Sequence, residues 1–161
     1  MKRTHIFFWL IIMGFSSAVS AQQTASIVSF EELQQRIEAS EKPLTVINFW
    51  ATWCAPCIKE MPHFEQVFQN DPSNIDLVLV NLDFAEDVEK VNNFIKKKDL
   101  KGDVLLLDNL DYNSWIDKIH PSWSGAIPAT LFVNTLTDER KFVEGEISEK
   151  ELEEHLNEVI N

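Results

Sequence analysis

The sequence predicts a single α/β domain, a mixed sheet with helices on both faces. Three observations predict it. Short runs rich in Val, Ile, Leu and Phe alternate with segments whose apolar residues recur at helical spacing. Two Ser-x-x-Glu capping boxes, Ser29 to Glu32 and Ser148 to Glu151, mark helix starts near the two ends. The last two strand-like runs, 129–133 and 140–144, are separated only by the turn 134–138, which reads as a hairpin closing one edge of the sheet.

Taken in order, the chain opens on Lys2 and Arg3, then an apolar run from Ile6 to Phe15, then the small residues Ser16 to Ala21. That is the layout of a secretory signal peptide with cleavage after Ala21, and the apolar run is too short for the roughly 20 residues that span a bilayer. No cysteine follows the run to carry a lipid, and no Arg-Arg pair precedes it. The expected organisation is therefore a leader at 1–21 and one exported domain at 22–161. Without Lys2 and Arg3, 12 basic side chains face 26 acidic ones, a net charge of −14 that argues against nucleic acid and anionic membrane surfaces as partners.

Within the domain, the first capping box opens a helix to about Ala39 with Phe30, Leu33 and Ile37 on one face. Ser40 to Pro43 form a turn into a buried strand, 44–50. A helix beginning near Ala55 runs to about Asn70, with Pro62 kinking it or costing it one hydrogen bond. Residues 75–83 read as a second buried strand, 86–98 as a helix, 104–107 as a further strand and 111–119 as a short helix. The second capping box opens the last helix, which puts Leu152, Leu156, Val159 and Ile160 on one face. There is no internal repeat and no low-complexity stretch.

The chemistry-bearing motif is Trp53-Cys54-Ala55-Pro56-Cys57, which holds the only two cysteines of the chain. It lies where a strand passes into a helix, so the first sulfur sits beside the unpaired N–H groups of the helix N-terminus. Their partial positive charge favours the thiolate, the form that attacks disulfides. A structural disulfide of this spacing would close too small a loop to constrain the unfolded chain much. A zinc site would need a second pair, and outside the leader only His63, His120 and His155 remain. Reversible redox chemistry outweighs both.

The run Val46 to Cys57, the internal Pro62 and Gly125-Ala126-Ile127-Pro128-Ala129-Thr130 resemble the thioredoxin superfamily, and within it the exported TlpA/ResA-type thiol–disulfide oxidoreductases. The resemblance covers nearly all of residues 28–160. It implies a thioredoxin-like fold, with an extra helix and strand between the Cys-x-x-Cys helix and Pro128. It also implies that Cys54 is the attacking thiolate and Cys57 the resolving thiol. By the same likeness, Pro128 is a cis-proline, Ile127 pairs its backbone with the client chain, and Trp53 is the indole flanking the site. Where thioredoxin carries a buried aspartate this chain has Asn48, and Glu60, one helical turn past Cys57, matches the ResA-type active-site glutamate.

The implied activity is exchange of client protein disulfides in the reducing direction, since Pro56 rather than a histidine precedes Cys57. Cytochrome c maturation is one implied client pathway and general client reduction another. Electrons would come from a membrane-embedded thiol donor, because the compartment is oxidising. No cofactor or metal is implied, and a monomer is expected. The alternative from another class is a thioredoxin-like copper carrier using the cysteines with His120, although such carriers space their cysteines more widely. A peroxidase is disfavoured because the threonine-rich signature of such enzymes is absent around Cys54. Trp115 and Trp123 read as core or loop packing, His63 as a surface histidine, and Glu86, Asp87, Glu89 and Lys90 as a solvated helix face.

Overall fold

The computed structural model describes residues 23–160. The expected leader at 1–21 lies outside the described residues. Six strands form one mixed sheet: β1 (Ser26–Val28), β2 (Leu44–Trp50), β3 (Ile75–Asn81), β4 (Asp103–Leu107), β5 (Ala129–Asn134) and β6 (Arg140–Glu144). Their order across the sheet is β1-β4-β3-β2-β5-β6. The first four in that order run parallel, and β5 and β6 are antiparallel additions on the β2 side.

The helices are α1 (Phe30–Glu38), α2 (Ala55–Asn70), α3 (Val88–Lys98), α4 (Ile116–Ile119) and α5 (Glu149–Ile160). Both capping boxes form: Ser29 and Glu32 exchange side chain-to-backbone hydrogen bonds, as do Ser148 and Glu151. Strands β2 and β3 are buried along their whole length, as expected for central parallel strands covered on both faces. Alternate residues divide between two cores. Leu44, Val46 and Trp50 join Met61 and Phe64 of α2 and Leu152 of α5, while Ile47 and Phe49 join Phe30 and Leu33 of α1, Trp115 and Trp123. α1 is also pinned to the sheet by Arg36, which donates to both carboxylate oxygens of Asp76 (2.8 and 2.9 Å) and to Asp103 (2.8 Å).

The extra helix and strand are α3 and β4. β4 is inserted between β1 and β3 rather than hung on an edge, so the addition widens the parallel half of the sheet. Four details depart from the sequence reading. Strand β1 is an additional element whose three residues pair in register with Leu105 to Leu107. The helix expected over 111–119 is a single turn at Tyr112–Ser114 followed by the short α4. Helix α3 is entered through a tight turn at Ala85–Asp87. Ile160, expected on the buried face of α5, is 55% exposed because the helix ends there, past the edge of the core. Pro62 lies inside α2, which continues through it. The ring is exposed, and the cost is the N–H that would have bonded the carbonyl of Ile58.

Candidate active site

The site is assembled where β2 passes into α2. A short turn follows Trp50, with the N–H of Cys54 donating to the carbonyl of Ala51 at 3.1 Å. Cys54 is the N-cap of α2, and its Sγ accepts from the N–H of Cys57 at 3.3 Å. Pro56 occupies the first turn, where its missing N–H would have had no intrahelical partner anyway. Cys54 and Cys57 are joined as a disulfide, their Cα atoms 5.3 Å apart. Cys57 is fully buried and Cys54 is 5% exposed. Cys54, the less deeply buried of the two, therefore sits at the positive end of a helix dipole, and Cys57 is enclosed within the first turn.

Glu60 follows one turn after Cys57 and is fully buried. Its Oε1 accepts from Nδ2 of Asn48 at 2.8 Å, and its Oε2 accepts from the N–H of Ile147 at 2.7 Å. Nδ2 of Asn48 also donates to Oγ1 of Thr130 at 3.1 Å, across the register pair Asn48–Thr130 of β2 and β5. Oδ1 of Asn48 is buried with no hydrogen-bond partner among the described residues. Burial pushes the Glu60 carboxyl up from 4.5 to about 7; the bonds from Ile147 and Asn48 oppose that rise, and the nearby charge of Glu146 adds to it. A carboxyl so poised can take or release a proton near neutrality.

The Ile127–Pro128 peptide bond is cis, and Pro128 is buried at the start of β5. The loop before it is tied down twice. The indole N–H of Trp123 donates to the carbonyl of Ala126 at 2.8 Å, and both the N–H and hydroxyl of Ser124 donate to Glu144. Ile127 is half-buried and lines a groove of about 320 Å³ together with Trp53, Leu82, Tyr112, Ile116 and Gly125. Trp53, next to Cys54 in the chain, is 66% exposed, a large apolar surface open to solvent.

The remaining candidates fall elsewhere. His120 stacks on Phe142 with centroids 4.8 Å apart, and its Nδ1 meets the Ser122 hydroxyl at 2.8 Å. His63 is half-buried on α2. Trp115 and Trp123 are buried and pack on Phe49, so they belong to the core rather than to the rim of the site. Asp83 was not singled out from the sequence. Just past the end of β3 and 4% exposed, it accepts from the N–H (2.7 Å) and hydroxyl (2.6 Å) of Thr52, the amide of Asn81 (2.9 Å) and Nζ of Lys90 (3.2 Å). Burial alone would push its carboxyl up, but these donors outweigh it and hold it below the usual aspartate value. Lys90, expected on a solvated face, is thus partly committed inward. The signal is the polar pair Asn81 and Asp83 directly after the apolar run Leu77 to Val80.

The AhpC/TSA family profile matches residues 15–137. The chain is 31% identical over 115 residues to the thiol-disulfide oxidoreductase ResA of Oceanobacillus iheyensis, a match covering 71% of this chain and 56% of that one. It therefore spans little more than half the length of that curated relative. Among solved structures, a thioredoxin-related protein from Neisseria meningitidis superposes with a TM-score of 0.63 at 25% identity, covering 76% of this chain and 89% of that one. A secreted disulfide oxidoreductase from Mycobacterium tuberculosis gives 0.56 at 25% identity, covering 72% and 81%. A cysteine pair at a strand-to-helix turn, a cis-proline and a six-stranded mixed sheet agree with these likenesses, and the chain belongs to the AhpC/TSA family, with a thioredoxin-like fold.

Proposed function

We propose that this protein is a thiol–disulfide oxidoreductase that reduces the disulfides of client proteins. The observation that carries this is the pairing of a helix-capping disulfide, Cys54–Cys57, with a buried carboxyl one turn away and poised near pH 7. In the reduced enzyme, the Cys54 thiolate attacks one sulfur of a client disulfide. The client S–S bond breaks, a mixed disulfide forms, and one client thiolate leaves. Cys57 then passes its proton to the Glu60 carboxylate and attacks Sγ of Cys54. The mixed disulfide breaks, the second client thiolate leaves, and two electrons have moved from the protein dithiol to the client. Asn48 holds Glu60 in place for this transfer, the backbone at Ile127 beside Pro128 pairs with the client chain, and the groove beside Trp53 holds its side chains.

The reducing direction is supported by Ala55-Pro56 between the cysteines, with no histidine to stabilise the Cys54 thiolate further. Reduction in an oxidising compartment needs resupply, so the electron source is a membrane-embedded thiol donor. The basic, apolar and small-residue layout of 1–21 supports export with cleavage near Ala21 and a mature domain at 22–161. No helix among the described residues is long and apolar enough to cross a membrane. The working form is a monomer, and cytochrome c maturation is one pathway it would serve.

The test is reduction of insulin-type disulfides by the protein recycled with a small dithiol. Cys54→Ser should abolish it, whereas Cys57→Ser should accumulate mixed disulfides with clients. Full activity in Cys54→Ser would sink the assignment.

A further inference from the structure

The turn that carries Cys54 is tied to a buried carboxylate, Asp83. Thr52 is the middle of that turn, and two of its groups, the backbone N–H and the hydroxyl, donate to the two oxygens of Asp83. Asp83 is itself held by Asn81, which donates from its amide and accepts from the Asp83 N–H at 3.0 Å. Asn81 is fully buried at the last position of β3, in register with Trp50. Lys90 reaches the same carboxylate from α3, the helix of the inserted unit. The side chain of Asp83 is 1% exposed and that of Lys90 53%. Asp83 therefore joins the end of a central strand, the inserted helix and the redox turn through one group.

Such a clamp has a chemical consequence. In the disulfide, the covalent bond itself holds Cys54 against Cys57. In the dithiol, the turn geometry and the N-cap bond from the Cys57 N–H must do so, and any freedom the turn gains must be lost again when the ring closes. A turn held in the closed geometry raises the effective concentration of one thiol at the other and favours the disulfide over the dithiol.

We propose that Asp83 is a positioning residue for the redox pair: by fixing Thr52 it keeps Cys54 within ring-closing reach of Cys57 and makes the dithiol a stronger reductant. The inference rests on the redox role assigned above. It also gives the α3–β4 insertion a part in setting the potential, through Lys90.

The test is equilibration of the pair with glutathione, in which two thiols of the protein and one oxidised glutathione give the protein disulfide and two reduced glutathiones. Asp83→Ala, Thr52→Val and Thr52→Ser would be compared with the wild type by quantifying the dithiol fraction. Asp83→Ala should shift the equilibrium toward the dithiol by about tenfold, equivalent to about 30 mV for a two-electron couple. Thr52→Val should shift it in the same direction by less, because it keeps the N–H donor, and Thr52→Ser should match the wild type. Should Asp83→Ala fail to fold, the Thr52 pair decides alone. Folded variants within twofold of the wild type overturn the inference, as does a Thr52→Ser shift equal to that of Thr52→Val. A wild-type pair that never exchanges with glutathione overturns the inference and the oxidoreductase assignment together, whereas unchanged variants of an exchanging protein overturn the inference alone.

Discussion

The side-chain amide of Asn48 donates to Oε1 of Glu60 at 2.8 Å, bridging the central strand to the helix that carries the disulfide. An amide here keeps the carboxyl in place without adding a second negative charge, and its hydrogen bond favours ionised Glu60, while burial favours the protonated form. The balance leaves the group near neutrality, which frames the first two predictions.

Removing the charge at residue 60 should alter thiol reactivity. With a carboxyl titrating at about 7, the reduced wild-type protein should show two inflections when alkylation rate is followed against pH, one from Glu60 and one from the thiols. Glu60→Gln should show one, at lower pH than the thiol inflection of the wild type, because the neighbouring negative charge is gone. Superimposable curves would mean that Glu60 has no part in the proton transfer.

Glu60 should also make stability depend on pH. Its folded-state value of about 7 lies above its ordinary 4.5, so the folded protein holds a proton that the unfolded chain releases. The contribution is complete below pH 4.5, declines as pH rises and is lost above about 7. A rise from 4.5 to about 7 corresponds to about 3 kcal/mol. Glu60→Gln should flatten this slope. The glutamine oxygen can still accept from Ile147, and turning the Asn48 amide over would present its unpartnered Oδ1 to the new NH₂ group. Urea unfolding of the oxidised protein at about pH 5 and about pH 8 measures the difference.

The potential of the pair should be reducing. With Ala55-Pro56 between the cysteines, the midpoint in a glutathione titration should fall nearer the roughly −270 mV of thioredoxin than the roughly −120 mV of a strong oxidant. A midpoint above about −180 mV would reverse the assigned direction.

The aromatic core under the parallel strands should be a stability hot spot without a catalytic role. Trp115 is 1% exposed, stacks on Phe30 and Phe49 at centroid distances of 5.9 and 6.4 Å, and donates from Nε1 to the carbonyl of Asn109. Trp115→Ala should cost about 3–5 kcal/mol in urea unfolding. The glutathione equilibrium of the protein that remains folded should be unchanged.

What the sequence determined by itself is what short-range physics decides. The strand over 44–50, the helix over 55–70 and both capped helix starts rest on periodicity and hydrogen bonds that act within a few residues. The reactive pair was legible for the same reason, because two cysteines on one helical turn need no distant partner to meet. The tertiary structure alone decided which polar groups are buried and against what. Glu60 could be placed one turn past Cys57 from its spacing, yet its proton affinity depends on Asn48, on Thr130 through Asn48, and on the N–H of Ile147, 87 residues further along the chain. Asp83 is one of many carboxylates in an acidic chain until the end of β3, the turn at Thr52 and Lys90 of α3 close around it. Strand β1 has too few residues to show a pattern, and exists because β4 offers its three residues a row of backbone groups to pair with. Desolvation and long-range hydrogen bonding belong to the packed chain, so the titration of Glu60 and the anchoring of Cys54 became visible only there.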